Sequence, residues 1–236
     1  MNPIFLRFLS ALFFAFFVCA VASCGGEDAT LVVTEEEAAE AIGMAMSGKT
    51  AGGATQLENL ADLAFFYSGY CSESFDTTLA HANTVGAITF DYSFEFTGTV
   101  TCNAFDLPTQ INANLAAGGN YDGLRMSSSD LSTATLTVTD LTNPSEYTIN
   151  GTAGRSGTQQ SKIKDNAEFQ STISLTYSNV KVNIIDQEIV SGTASATITG
   201  EVSDGENFTY SGTVTFLGNQ TLNVTLNSGA TYTFSW

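Results

Sequence analysis

From Val85 to the C-terminus the chain alternates apolar and polar side chains with a period of two. Ile88, Phe90, Tyr92, Phe94 and Phe96 are interleaved with Thr89, Asp91, Ser93, Glu95 and Thr97. That spacing places one set of side chains on each face of an extended strand, half buried and half wet. The alternation returns in Leu136 and Val138, in Phe169, Ile173, Leu175 and Tyr177, and in Val180, Val182 and Ile184. It continues through Ala194, Ala196, Ile198 and Val202, then Phe208, Tyr210, Val214 and Phe216. Leu222, Val224 and Leu226 face Ala230, Tyr232, Phe234 and Trp236 across Asn227-Ser228-Gly229, a hairpin turn sequence. The expectation is a mainly β protein with an antiparallel meander of about nine or ten strands, because no long helical segment interrupts them.

Upstream the period is that of a helix. Thr34 stands three residues before Glu37, the spacing of a capping box, and Glu35, Glu36 and Glu37 crowd the first turn, where the helix dipole favours negative charge. Ala38, Ala39, Ala41, Ile42, Met44 and Ala45 continue the helix to about Gly48, and Gly52-Gly53 form a joint. Leu57, Leu60, Ala61, Ala64 and Phe65 then recur at steps of three and four, which predicts a second helix from about Gln56 to Tyr67. Both helices are expected to pack against the sheet.

An apolar or aromatic residue precedes Gly-Thr four times, in Phe96-Thr97-Gly98-Thr99, Ile149-Asn150-Gly151-Thr152, Val190-Ser191-Gly192-Thr193 and Tyr210-Ser211-Gly212-Thr213. Glycine inside a strand marks a bend or a close approach of backbones, so the sheet is expected to be strongly curved or closed into a barrel. Two opposite arrangements fit one apolar and one Thr-rich face. With the apolar face inward, the helices of segment 34–67 plug or cover a soluble domain. With it outward, the chain is a small outer-membrane barrel with a polar lumen. Tyr232, Phe234 and Trp236 resemble the terminal aromatic signature of outer-membrane barrel proteins. Short turns, the absence of two aromatic girdles and the scarcity of charge on the lumen side favour the inward core.

The N-terminus carries an address. Arg7 precedes an apolar run from Phe8 to Ala22 broken only by Ser10, and Val21-Ala22-Ser23 ends in small residues before Cys24. The run is shorter than the roughly 20 residues a membrane span needs, and it has the layout of a secretory signal. Val21-Ala22-Ser23-Cys24 resembles the lipobox of bacterial lipoproteins. The resemblance implies cleavage after residue 23 and lipidation of Cys24 with two or three acyl chains, enough for stable anchoring where one chain is marginal. In that family an aspartate directly after the cysteine retains the protein at the inner membrane, so Gly25 implies the outer membrane. Cys19 is a poorer acceptor because the bulky Val18 precedes it. The organisation expected is a signal peptide (1–23), a lipidated tether (24–33) and a single β-rich domain (34–236).

Composition narrows the partners. The chain has 7 basic and 24 acidic side chains, a net charge of −17. Removing the segment with Arg7 leaves six basic against the same 24 acidic side chains, or −18. Such a body is repelled by nucleic acids and anionic lipid surfaces, which leaves the tether to hold it at a membrane. Apart from Cys19 and Cys24, the cysteines are Cys71 and Cys102. In an oxidising compartment these are expected to form a disulfide, with two buried thiols as the alternative.

Candidate chemistry is sparse, and neither a cofactor nor an enzymatic activity is expected. His81 is the only histidine. It could serve one of many serines as a base, but no Gly-x-Ser-x-Gly elbow accompanies it. Asp91 and Glu95 share the polar face of a strand about 13–14 Å apart, too far for a glycosidase pair. Asn120-Tyr121-Asp122-Gly123 and Asp204-Gly205-Glu206-Asn207 offer oxygen ligands but read as ordinary turns without the spaced acidic pattern of a calcium loop. Lys162 and Lys164 are expected to rim a loop in isolation. What remains is a binding or structural role: an envelope protein partner, or a hydrophobic ligand on a concave apolar face with Phe90, Tyr92, Phe94 and Phe96 as its aromatic run, against the plainer reading of these rings as core.

Overall fold

A computed structural model describes residues 31–163, 166–203 and 205–236. Cys24, the expected signal peptide and most of the expected tether lie outside the described residues, as do Lys164 and Asp204. Helix α1 spans Glu35–Met46, a single 3-10 turn covers Gly48–Thr50, and helix α2 spans Gly53–Tyr67. Ten strands follow: β1 (Ser74–Val85), β2 (Ile88–Cys102), β3 (Pro108–Asp122), β4 (Met126–Thr139), β5 (Glu146–Ser161), β6 (Glu168–Asn183), β7 (Ile189–Val202), β8 (Asn207–Gly218), β9 (Thr221–Leu226) and β10 (Thr231–Ser235). They form one sheet in sequence order, every neighbour antiparallel. The sheet is open, with β1 and β10 as its two edges.

The apolar face points inward. Along β2 the rings of Phe90, Tyr92, Phe94 and Phe96 are buried while Asp91, Ser93 and Glu95 are exposed. Along β4 the alternation runs unbroken from Met126 to Val138. The helices lie on this inner side. α1 touches β5 and β7 to β10, while α2 touches β2, β6 and β7, so the sheet curls around them. α1 is buried over all its residues from Glu37 to Met46, as an internal helix must be. Its capping box is formed: the Glu37 amide donates to Thr34 Oγ1 (3.2 Å) and the Thr34 amide to Glu37 Oε2 (2.8 Å). Phe94, Phe96, Ile42, Leu57 and Leu60 are wholly buried, and each contributes about 1.5–3 kcal/mol of transfer free energy.

Two of the Gly-Thr positions mark breaks in the ladders. Gly151 (φ 147°) sits at a register shift between β5 and β6, and Gly192 (φ 128°) lies against the backbone of Val180, beside the shift at Ser178/Lys181. The second shift explains why the apolar parity of β6 changes from odd at Tyr177 to even at Val180 within one strand. The disulfide between Cys71 and Cys102 joins the segment after α2 to the end of β2.

Candidate functional site

One row of inward positions crosses seven strands: Tyr92, Gly119, Asp130, Gly157, Ser171, Gly200 and Phe208 are successive cross-strand partners. Larger side chains alternate with glycine. A Cβ on Gly157 would stand 2.2 Å from Ser129 O, and one on Gly119 2.1 Å from Asp91 O, so the strands approach more closely here than a side chain permits.

A buried polar network is built on this row. Arg155 Nη2 donates to Asp130 Oδ2 (2.5 Å) and to the Tyr92 hydroxyl (2.6 Å). The Tyr92 hydroxyl donates to the same carboxylate oxygen (2.9 Å), as does Ser128 Oγ (2.7 Å). Gln159 Nε2 donates to Ser128 Oγ, and Ser171 Oγ to Gln159 Oε1. The guanidinium also lies over the rings of Tyr92 and Tyr121, at 5.5 and 5.7 Å from their centroids. Burial is the largest single influence and opposes the Arg155 charge, but the attraction and hydrogen bond of Asp130 together with the Tyr92 and Tyr121 phenols raise the guanidinium above its ordinary value. Burial also pushes the Tyr92 and Tyr121 phenols upward, although the nearby Arg155 charge pulls the other way, so both stay protonated. With its charges matched inside the core, this cluster is suited to holding neighbouring strands in register.

The accessible site lies elsewhere, at the seam where the sheet fails to close. A groove of about 760 Å³ opens beside β10, within the size range of ligand sites. One wall is β10 itself, from Thr231 to Ser235. The other is the β1–β2 turn, Val85 to Ile88, together with Leu124 and Arg125. Met44 and Ser47 from the α1 end supply the floor, with Glu40 and Lys49 as its charged groups. Arg125 is committed, since its guanidinium pairs with Glu36 and donates from Nε to Glu40 Oε2 (3.0 Å). Those hydrogen bonds raise the Arg125 guanidinium above its usual value. Lys49 forms no ion pair among the described residues.

The structure places each described residue singled out by sequence. Phe90, Tyr92, Phe94 and Phe96 are buried on the concave face, which the helices and neighbouring side chains occupy. His81 faces α2, where Nε2 is 3.3 Å from Asn59 Nδ2 and its ring meets Phe94 edge-on at 5.4 Å between centroids. Asp91 and Glu95 are exposed on the outer face. The Asn120–Gly123 stretch is a strand end and not a ligand loop, because Asn120 to Asp122 belong to β3 and Tyr121 is in the core. Lys162 is not isolated: its ammonium pairs with Asp122 and donates to Gly123 O (2.8 Å).

Sequence reading missed both Asp130–Arg155 and the groove. The pair had one available signal, and on one side only: Asp130 shares the apolar parity of Leu136 and Val138 on β4, whereas β5 around Arg155 shows no alternation. No family model, curated protein or solved structure matches this chain.

Proposed function

We propose that this chain is a lipid-anchored, non-enzymatic lipoprotein of a bacterial envelope, held at the outer membrane through Cys24, whose β-domain binds a ligand with apolar character in the seam groove. The observation that carries the reading is the distribution of side chains about the sheet. The concave face is filled from within, so the groove beside β10 is the opening where an apolar floor meets solvent. The outward positions are Thr, Ser, Asn, Asp and Glu along strand after strand; one row alone runs Thr97, Asn114, Thr135, Thr152, Thr176, Ser195, Thr213, Thr225 and Thr231. Such a surface offers lipid no apolar band, which favours this reading over an integral outer-membrane barrel.

The test is export of residues 25–236 behind a cleavable secretory signal, followed by fractionation. Release into the soluble pool, with the full-length protein remaining membrane-bound, is the expected result. Retention in the membrane without Cys24 sinks the reading and puts the barrel in its place.

A further inference from the structure

The groove at the seam is walled by a strand edge, and that edge has a definite chemistry. The β9–β10 hairpin is closed at one end by the Leu226 amide bonding Ala230 O and at the other by the Trp236 amide bonding Gln220 O, both 2.9 Å. In an antiparallel ladder the bonded pairs recur at every second residue. The phase set by those two ends assigns the amides and carbonyls of Tyr232 and Phe234 to β9. Those of Thr231, Thr233 and Ser235 therefore point away from the sheet, into the groove that these residues line. No hydrogen bond with any described residue occupies them. Three amides and three carbonyls thus stand in line along a strand about 17 Å long.

The rest of the groove fits what such an edge recognises. Tyr232 and Phe234, half buried, turn their rings inward beside Met44 and Ile88, giving an apolar floor under the open edge. Opposite stand Val85 and Leu124, both exposed. Lys49 brings to the groove an ammonium with no ion-pair partner among the described residues, in a protein with only 7 basic residues and a net charge of −17. A bare hydrocarbon ligand would leave both the edge groups and this ammonium unanswered.

We propose that the seam groove binds an extended peptide segment of a partner protein, which adds to the sheet as a strand against the free edge of β10. Its backbone pairs with Thr231, Thr233 and Ser235. Alternate side chains of the peptide are apolar and lie on Tyr232, Phe234 and Met44, and an acidic group meets Lys49. The inference rests on the groove being the binding site, and it does not depend on how the chain is anchored. Fractionation tests the anchor, and the experiment below tests the groove.

The probe is a random peptide display library selected on the full exported chain. The expected outcome is a set of enriched peptides that share alternating apolar positions and an acidic residue. Their binding slows amide exchange at Thr231, Thr233 and Ser235. Thr233→Pro removes a groove-facing amide at an edge position where proline is tolerated, and it weakens binding by roughly tenfold or more. Thr233→Ala keeps the amide while losing the bond from Thr233 Oγ1 to Asn223 Oδ1, and it weakens binding far less than Thr233→Pro does. Lys49→Gln weakens the acidic peptides selectively. Peptides that bind Thr233→Pro as well as the parent overturn the proposal, as does a library with no enrichment. Palmitate that fills the groove without slowing those three amides overturns it in favour of an acyl chain. A concentration-dependent dimer protecting the same amides in the absence of peptide assigns the edge to a second copy.

Discussion

A Cβ on Gly43 would lie 2.3 Å from the ring of Phe234, so the middle of α1 meets the last strand at a contact that leaves no room for a methyl group. Two opposed effects decide what Gly43→Ala does. Alanine favours a helix interior over glycine by about 1 kcal/mol. Overpacking costs about 1–3 kcal/mol, unless the ring yields. Phe234 is half buried beside the groove and can swing outward. The expected result is a net loss of about 0–2 kcal/mol in urea unfolding. A changed emission of Trp236, the only tryptophan, should accompany it, since Trp236 packs on Gly48 beside the same seam.

The Arg155–Asp130 pair makes a sharper prediction. Arg155→Met leaves the Asp130 carboxylate buried with only Tyr92 and Ser128 as donors, and breaking a buried pair in this way costs about 3–5 kcal/mol. Adding Asp130→Leu to Arg155→Met removes the orphaned charge and should recover much of that loss. A double-mutant cycle by chemical denaturation measures the coupling. A cycle that closes near zero would show that the pair does not act as a unit.

Reduction of Cys71–Cys102 releases a crosslink spanning 31 residues of sequence. Loop-closure entropy predicts a loss of about 3–4 kcal/mol. Parallel denaturation curves of the oxidised protein and the Cys71→Ser/Cys102→Ser variant check it, with an unchanged midpoint as the contrary result.

Glu58 on α2 provides a pH signature. Burial raises its carboxyl from the usual range to about 7, opposed by its hydrogen bond from the Ile189 amide and aided by the nearby Glu188. Between the unfolded value of 4.5 and about 7 the folded state therefore holds more protons than the unfolded state. Stability from this group is present at and below pH 4.5, falls as pH rises to about 7, and is then lost. Glu58→Gln should flatten that slope and be the more stable protein above pH 7, by on the order of 1–2 kcal/mol after solvent screening. Thermal midpoints of the two proteins across this range measure the difference.

Legibility in the sequence followed side-chain contrast. β2, with five apolar residues interleaved with polar ones, was readable at once. β3 was not, because its inward positions include Ala113, Ala117 and Gly119 and its outward ones Ala116 and Gly118, too little difference in hydropathy to show a period. β1 escaped for a related reason: of its inward positions only Phe75 is fully buried. The inner end of β4 was hidden because Ser128, Asp130 and Ser132 occupy core positions. Polar residues at inward parity look like a strand's wet face until the partners that satisfy them are known.

The sequence by itself determined the class of the domain, its meander and the two helices that precede it, since each depends on local periodicity, capping and turn chemistry. It also brought Cys71 and Cys102 forward as a pair, through their number alone. Tertiary structure decided which face is inside, where Asp130 and Arg155 meet, and that β1 and β10 remain apart with a groove between them. Those outcomes depend on contacts between residues distant in the chain. Twenty-five residues separate the ion pair, and more than 100 separate β10 from the opposite wall of the groove, so no local pattern could record them.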